Sequence, residues 1–296
     1  MQPAQQLYQW LIAPIASELE AAEIDTLLFS MDAGLRTIPM PVLHDGEQFL
    51  IENYSLSMIP TFSLMNSNYQ PMTNPQILAM GASEFTELNP LPAVPVELST
   101  IAQEVGGQVF LNQQFTLENL IQERQRYPYE IIHLGTHADF KSGGQSNSYV
   151  QLWNEKLTLA QMQQMNWDNP PVELLVLSAC RTAVGDNQAE LGFAGLAVAS
   201  GVKTALGSVW QVSDQGTLAL MTEFYNQLGE TQIKAEALRE AQLSMLRGNV
   251  VIEGGQLRGS GTGGGVLLPP QLAELGQVDL SHPYYWSGFM MIGSPW

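Results

Sequence analysis

Two residues that together could carry out nucleophilic catalysis stand at the ends of two apolar runs in this chain. Cys180, the single cysteine among 296 residues, follows the run VELLVLSA at 172–179, and His137 ends a second apolar run that begins at residue 130. A thiol attacks a carbonyl carbon as the thiolate, so a catalytic cysteine needs a base within hydrogen-bond reach. A histidine can take the thiol proton and then protonate the leaving amine. The pair therefore predicts acyl transfer through a cysteine nucleophile.

The apolar run before Cys180 has the composition of a strand that is buried on both faces. It is bracketed by Pro170 and Pro171 on one side and by a polar turn on the other, which favours a central strand of a parallel sheet. Open α/β sheets place their ligand crevices at the C-terminal ends of such strands. Apolar strands alternate with helical patterns along the chain, which predicts an α/β fold with a mostly parallel sheet and helices on both faces.

A proline-rich segment at 88–95 separates two parts of the sequence. We interpret residues 1–88 as an N-terminal half and residues 89–296 as the half that carries the chemistry. The N-terminal half opens with a helical pattern that Pro14 should interrupt. In the second half, the glycine-rich stretch at 254–265 is expected to be mobile.

The charge balance excludes one class of partner and favours another. The chain has 11 Lys and Arg against 29 Asp and Glu, for a net charge of −18. A nucleic-acid backbone requires a basic stripe, and the sequence has none, so we expect no nucleic-acid partner. An acidic surface suits basic protein or peptide partners and also keeps a protein soluble.

The cysteine count and the hydropathy narrow the setting further. A single cysteine rules out an internal disulfide, which suits a reducing cytoplasm, and one cysteine with four scattered histidines cannot build a Cys/His metal cage. The first residues lack the cationic and apolar regions of a signal peptide, and no window approaches 18 consecutive apolar residues. We therefore expect a cytoplasmic protein with no metal, no cofactor and no membrane contact.

Four motifs, in order along the chain, resemble those of the CHAT domain, a caspase-like peptidase module of the clan that includes caspases and separase. They are HLGTH at 133–137, LSACRT at 177–182, GSVWQVSD at 207–214 and HPYYWSGF at 282–289. The opening segment also fits, so the resemblance covers nearly the whole chain. In caspases, too, the histidine precedes the cysteine by about 50 residues. The resemblance implies a caspase-like fold and a cysteine endopeptidase with Cys180 as nucleophile and His137 as general base and acid.

The same resemblance suggests how the substrate would be held. The backbone N–H of Cys180 is the first expected donor to the oxyanion, and the family places the second just after the histidine, here at Ala138, where caspases have glycine. Asp214 resembles the separase aspartate that lies at the pocket for a basic P1 residue, the residue before the scissile bond. Tetratricopeptide repeats commonly precede CHAT domains, so such repeats, upstream or in another chain, are expected partners besides a protein or peptide substrate.

The roles of Asp214 and His133, and the activity of the chain as a whole, each have an alternative interpretation. Asp214 or Ser213 could instead cap the helix that follows. His133 lies four residues before His137, too far along the strand to meet Cys180, and we interpret it as a structural histidine. The chain could also be a catalytically silent interaction module that keeps the caspase-like fold as a scaffold.

Overall fold

The computed structural model describes residues 1–32, 34–62, 71–140, 148–180, 182–183, 192–231, 233–259, 265–274 and 276–296. The strands are β1 (Thr26–Phe29), β2 (Ser55–Met58), β3 (Ile77–Gly81), β4 (Gly107–Leu111), β5 (Ile131–Gly135), β6 (Ala138–Asp139), β7 (Tyr149–Gln151), β8 (Lys156–Thr158), β9 (Leu174–Ser178), β10 (Thr204–Ser208), β11 (Val251–Glu253), β12 (Gln256–Arg258), β13 (Val266–Leu267) and β14 (Phe289–Gly293). The helices are α1 (Gln2–Leu11), α2 (Ala16–Ala21), α3 (Leu50–Asn53), α4 (Val94–Val105), α5 (Leu117–Arg126), α6 (Leu159–Gln164), α7 (Gly192–Ala199), α8 (Asp214–Glu230), α9 (Lys234–Leu246), α10 (Pro270–Ala273) and α11 (Pro283–Trp286).

Within the described residues, eight strands form a central sheet in the order β1-β2-β14-β10-β9-β5-β3-β4. Neighbouring strands are parallel except β10 and β14, which run antiparallel. The predicted mostly parallel α/β sheet is therefore confirmed. Strands from the N-terminal half, 1–88, flank strands of the second half, 89–296, on both sides, because β2 pairs with β14 and β3 pairs with β5.

The central strands are buried because helices cover both faces of the sheet. Every residue of β3, β5, β9, β10 and β14 is buried. Alternating residues of β9 enter two different apolar clusters, one against α4, α8 and α9 and the other against α5, α6 and α7. This alternation follows from the two-residue period of a strand, and it explains why both faces of these runs are apolar.

Two helices that border the site have sequence signals at their ends. Pro95 lies in the first turn of α4, where a missing backbone N–H is tolerated, and the helix ends at Gly106, whose φ is +89°. Ser213 caps α8 by accepting a hydrogen bond of 3.3 Å from the Gly216 amide.

The glycine-rich segment 254–265, which its composition predicts to be mobile, begins with an ordered turn. Residues 251–258 form the β11–β12 hairpin, with Gly254 and Gly255 at its turn at φ of +60° and +73°. Glycine is favoured there because both positions need a positive φ, so these two residues shape a turn and not a mobile loop. Residues 260–264 of the expected mobile segment lie outside the described residues.

Candidate active site

The register of the sheet brings His137 and Cys180 to the same edge. β5 and β9 are adjacent parallel strands in which Gly135 pairs with Ser178. The Thr136 amide extends the pairing by donating a hydrogen bond of 3.2 Å to the Ser178 carbonyl. His137 and Cys180 each lie two residues beyond the Gly135–Ser178 pair, on strands that neighbour each other at a spacing of about 4.8 Å. Both residues therefore follow the same edge of the sheet, at the ends of two adjacent strands.

The imidazole of His137 is oriented by a backbone carbonyl. Its Nε2 lies 2.8 Å from the Asn89 carbonyl oxygen, and its ring packs against Phe85 with a centroid distance of 4.8 Å. A carbonyl oxygen only accepts hydrogen bonds, so Nε2 carries the ring proton in the neutral histidine and Nδ1 is the acceptor nitrogen. Among the described residues no hydrogen bond joins this imidazole to Cys180, and catalytic hydrogen bonds commonly tighten when substrate binds.

The thiol of Cys180 is half-buried and is held in its neutral form. Burial raises the pKa of the Cys180 thiol, the Val212 amide hydrogen bond to the sulfur lowers it, and the charge of Asp214 raises it. The net direction is upward, because burial is the largest of the three effects. A thiol in this environment needs a base to become nucleophilic at neutral pH.

The turn that carries Cys180 is fastened to β10. Ser208 donates its hydroxyl to the Ala179 carbonyl at 2.6 Å, and its amide donates to the Thr182 hydroxyl at 2.9 Å. Gly207 lies so close to this turn that a Cβ there would approach the Thr182 hydroxyl oxygen to 2.8 Å. The GSVW motif at 207–210 is thereby explained in part, because its first two residues hold the turn that carries Cys180.

Two backbone amides near the pair are candidates for an oxyanion hole. The Gln151 amide donates a 2.8 Å hydrogen bond to the His137 carbonyl, which makes Ala138 and Val150 a non-hydrogen-bonded pair of the β6–β7 ladder. The Ala138 N–H consequently points away from β7. The Cys180 N–H has no hydrogen-bond partner in the part of the chain that the structure describes.

Asp214 is the first residue of α8, and its carboxylate faces another helix. Its Oδ2 accepts a hydrogen bond of 3.0 Å from the amide of Ala93, which directly precedes α4. Burial, followed by the charge of Glu97, raises the pKa of Asp214 to about 6, although the Ala93 amide opposes the shift. Of the two capping candidates, Ser213 caps α8, while the Asp214 carboxylate lies where its charge reaches the Cys180 thiol.

Behind the strand ends lies a fully buried polar cluster, here called the Glu97 cluster, formed by Glu97, His133, Ser178 and Tyr225. One oxygen of Glu97 accepts from the Ser178 hydroxyl at 2.6 Å and from His133 Nε2 at 2.8 Å. His133 Nδ1 lies 3.1 Å from the Tyr225 hydroxyl, whose pKa is raised well above its usual value, first by burial and then by Glu97. His133 is 0% exposed with both ring nitrogens partnered, as a structural histidine is expected to be.

The described residues were searched for a metal-binding group and for a helix that could span a membrane. No group of three His, Cys, Asp or Glu side chains in these ranges could hold a metal ion. None of the described helices has both the length and the apolar character needed to cross a bilayer.

Comparison with known proteins identifies the family. The family model of the CHAT domain matches residues 1–294. The chain belongs to the CHAT family. A comparison with curated proteins found no match, so the remaining similarity is structural.

Solved structures similar to this CHAT chain are caspase-like peptidases. Separase in the Saccharomyces cerevisiae separase–securin complex superposes with a TM-score of 0.56 at 13% identity, over 90% of this chain and 15% of that chain. The Arg specific cysteine proteinase gingipain R superposes with a TM-score of 0.58 at 10% identity, over 99% of this chain and 66% of that chain. At these identities the likeness shows a shared caspase-like fold, and the chain spans only part of the separase and gingipain chains.

Sequence reasoning missed three groups that surround the predicted pair. The Asn89 carbonyl and the Val212 amide are backbone groups, so no residue type marks them. Glu97 did leave a signal, because it lies beside Leu98 and one turn before Ile101 in the apolar stripe of α4. A lone carboxylate on a buried helix face must find partners, and Glu97 finds them on β5 and β9.

Proposed function

We propose that this CHAT chain is a cysteine endopeptidase in which Cys180 is the nucleophile and His137 is the general base and acid. The observation that carries the proposal is the register of β5 and β9, which places both residues two positions beyond the same strand pair. The Asn89 hydrogen bond supports it, because it leaves His137 Nδ1 unprotonated and able to accept the thiol proton.

The raised pKa of Cys180 decides how the first step would run. His137 removes the thiol proton as the sulfur attacks the substrate carbonyl, so no thiolate has to accumulate beforehand. The tetrahedral oxyanion is stabilised by the N–H groups of Cys180 and Ala138. The protonated His137 then gives its proton to the leaving amine, and the acyl group stays on the sulfur as a thioester. Water, deprotonated by His137, hydrolyses the thioester and restores the thiol.

The specificity part of the proposal assigns Asp214 to a pocket for a basic P1 side chain. Its charge reaches Cys180, which supports a position at the cleft, and a carboxylate there would pair with Arg or Lys and repel Asp. The net charge of −18 would steer basic peptides toward the protein. Gingipain R, which has the same fold, is described as Arg specific.

The test compares matched peptides with P1 Arg, Leu and Asp. We expect the wild-type protein to prefer Arg, Cys180→Ala to cleave none of them, and Asp214→Asn to lose at least about tenfold of the Arg-over-Leu ratio in kcat/KM. Turnover that persists in Cys180→Ala would overturn the nucleophile assignment. A Leu or Asp preference, or an Arg preference untouched in Asp214→Asn, would remove Asp214 alone from the pocket.

A catalytically silent interaction module is the second candidate, and one feature favours it. The thiol is held neutral by burial and by a neighbouring carboxylate, and it has no hydrogen bond to His137. Such a module would use the caspase-like surface to bind another protein, in the way that separase is seen in complex with securin. It would cleave no peptide in the test above, and its thiol would react like an ordinary buried cysteine.

The partners and the setting follow from the same proposal. The proposed substrate is a protein or peptide, and tetratricopeptide repeats, upstream or in another chain, are proposed as a further partner. We propose a cytoplasmic setting, since the single cysteine forms no internal disulfide and a catalytic thiol requires reducing conditions. The proposal requires no cofactor.

A further inference from the structure

Glu97 makes contact with both strands that end in the proposed catalytic pair. Its Oε1 accepts from Ser178, two residues before Cys180, and from His133, four residues before His137. Glu97 is 1% exposed and His133 is 0% exposed, so solvent does not screen these contacts. A single buried carboxylate thus ties β5 to β9 directly behind the reacting groups.

Glu97 is also linked to Asp214 through Ala93, the residue directly before α4. Ala93 donates its amide to the Asp214 carboxylate at 3.0 Å, and its carbonyl accepts from the Glu97 amide at 2.9 Å. Ala93 therefore bonds to both residues near the start of α4 and α8, and the charge of Glu97 acts on the Asp214 carboxylate.

We propose that Glu97 is a positioning residue of the cleft: it joins the two catalytic strands and holds a second negative charge behind Asp214 that governs the pH range in which the cleft selects a cationic P1 side chain. The inference rests on the proposed function for its effect on substrates. The electrostatic coupling between the Glu97 and Asp214 carboxylates does not depend on peptidase activity.

One oxygen of Glu97 receives two hydrogen bonds. The Tyr225 phenol remains protonated and donates to His133 Nδ1, so His133 Nε2–H and the Ser178 hydroxyl both donate to the same Glu97 oxygen. The Asp214 carboxylate accepts from one backbone amide among the described residues, that of Ala93.

Within the described residues, the charged and titratable groups that act on Asp214 belong to this arrangement. Glu97 faces it from α4 and Cys180 from the turn after β9, while His133 and Tyr225 act on it through Glu97. Tyr285 of α11 packs on the same turn of α8, where a Cβ at Gly216 would approach its ring to 2.8 Å.

The sign of the pH effect follows from the raised pKa of Asp214, which is about 6. Asp214 is charged above that pH and becomes neutral as the pH falls through it, so selectivity for a basic P1 residue should fall in the same range. Glu97→Gln keeps a hydrogen-bond acceptor for Ser178 and His133 but removes the charge. Asp214 then holds its proton less tightly, and the loss of selectivity should move to lower pH.

The experiment measures the ratio of kcat/KM for P1 Arg to that for P1 Leu between pH 4.5 and 8 in the wild type and in Glu97→Gln. The ratio cancels the ionisation of Cys180 and His137, which both substrates share. We expect a wild-type midpoint near 6 and a lower midpoint in Glu97→Gln. Ser178→Ala, which removes a contact to Glu97 but leaves both charges, is the matched control and should keep the wild-type midpoint. An unchanged midpoint in Glu97→Gln, or an equal shift in Ser178→Ala, would overturn the inference.

A second measurement separates this inference from the proposed function. The pKa of Asp214 can be followed by carboxyl carbon NMR in the intact protein, with Asp214→Asn to assign the signal, and should fall in Glu97→Gln even if no peptide is cleaved. If Glu97→Gln does not fold, Glu97→Met combined with His133→Leu removes the charge together with its buried partner and should lower the Asp214 pKa in the same way. An Asp214 pKa that stays in place would contradict the coupling, whereas a shifted pKa without any turnover would count against the peptidase alone.

Discussion

His133 lies within β5 and His137 lies just after it, four residues further along the chain, and the two imidazoles have different surroundings. His133 is fully buried and both of its ring nitrogens are bound by side chains, those of Glu97 and Tyr225. His137 is half-buried, and among the described residues its imidazole has one hydrogen bond, from Nε2 to a backbone carbonyl. A histidine with both nitrogens occupied can hold a structure together but has no site for a transferred proton. A histidine with one oriented and one free nitrogen can act as a base.

The same contrast separates the two polar regions as a whole. The Glu97 cluster is bound side chain to side chain, which fixes β5 and β9 relative to each other. At the strand ends, Cys180 and His137 are held mainly by backbone groups of Val212 and Asn89. Backbone contacts orient the reacting atoms and leave their side chains available to a substrate. We therefore expect the Glu97 cluster to control the stability of the fold. The pair at the strand ends, Cys180 and His137, is expected to control the rate of peptide cleavage.

Replacing His137 and His133 separately should give the largest effects, one on kcat/KM and the other on the free energy of unfolding. His137→Ala should lower kcat/KM by about 10²–10⁴-fold because the general base is lost, with little change in thermal stability. His133→Ala should cost about 3–5 kcal/mol of unfolding free energy, because it leaves the Glu97 carboxylate buried without its partner. Denaturant titrations and peptide kinetics on both variants would measure the contrast. Equal stability losses in the two variants would mean that the two regions are not distinct.

Smaller effects on stability and kcat should come from removing the two side-chain hydroxyls of β10, those of Ser208 and Thr204. Each donates one hydrogen bond to a backbone carbonyl, so one variant is a control for the other. Ser208 donates to the carbonyl of Ala179, the residue before Cys180, at 2.6 Å, and Thr204 donates to the Ser294 carbonyl at the other end of the strand at 2.7 Å. Ser208→Ala and Thr204→Val should each cost about 1 kcal/mol of stability. Only Ser208→Ala should also lower kcat, by a few-fold, since it frees the turn that positions Cys180. A kcat loss of the same size in Thr204→Val would show that the effect is general loosening of β10.

The fold and the location of the pair could be predicted from the sequence because both depend on local patterns. Runs that are apolar on both faces mark central parallel strands, and Cys180 and His137 close two such runs. The pairing register that sets them side by side could not be predicted, because it depends on which strands become neighbours. The Asn89 carbonyl could not be predicted either, since every residue has one.

Two other features show where composition misleads. A glutamate on a helix is usually solvated, so Glu97 gave little reason to expect a buried partner set, although its place in an apolar stripe was a usable signal. Glycines at 254–255 fit both a mobile loop and a tight turn, and only the pairing of β11 with β12 distinguishes the two. The environment of Glu97 is set by residues on β5 and β9 that are distant in sequence, and the conformation of the two glycines is set by the pairing of β11 with β12.

The most direct test of the central claim measures how fast Cys180 reacts with a peptidyl chloromethylketone that has Arg at P1. The labelled residue would be identified by peptide mass spectrometry and the rate compared with that of a free thiol at the same pH. If His137 activates Cys180, the adduct forms on Cys180 faster than on the free thiol, and His137→Ala slows it by about 10²-fold or more. If Cys180 reacts no faster than a free thiol, or equally fast in His137→Ala, then the two residues do not form a catalytic pair.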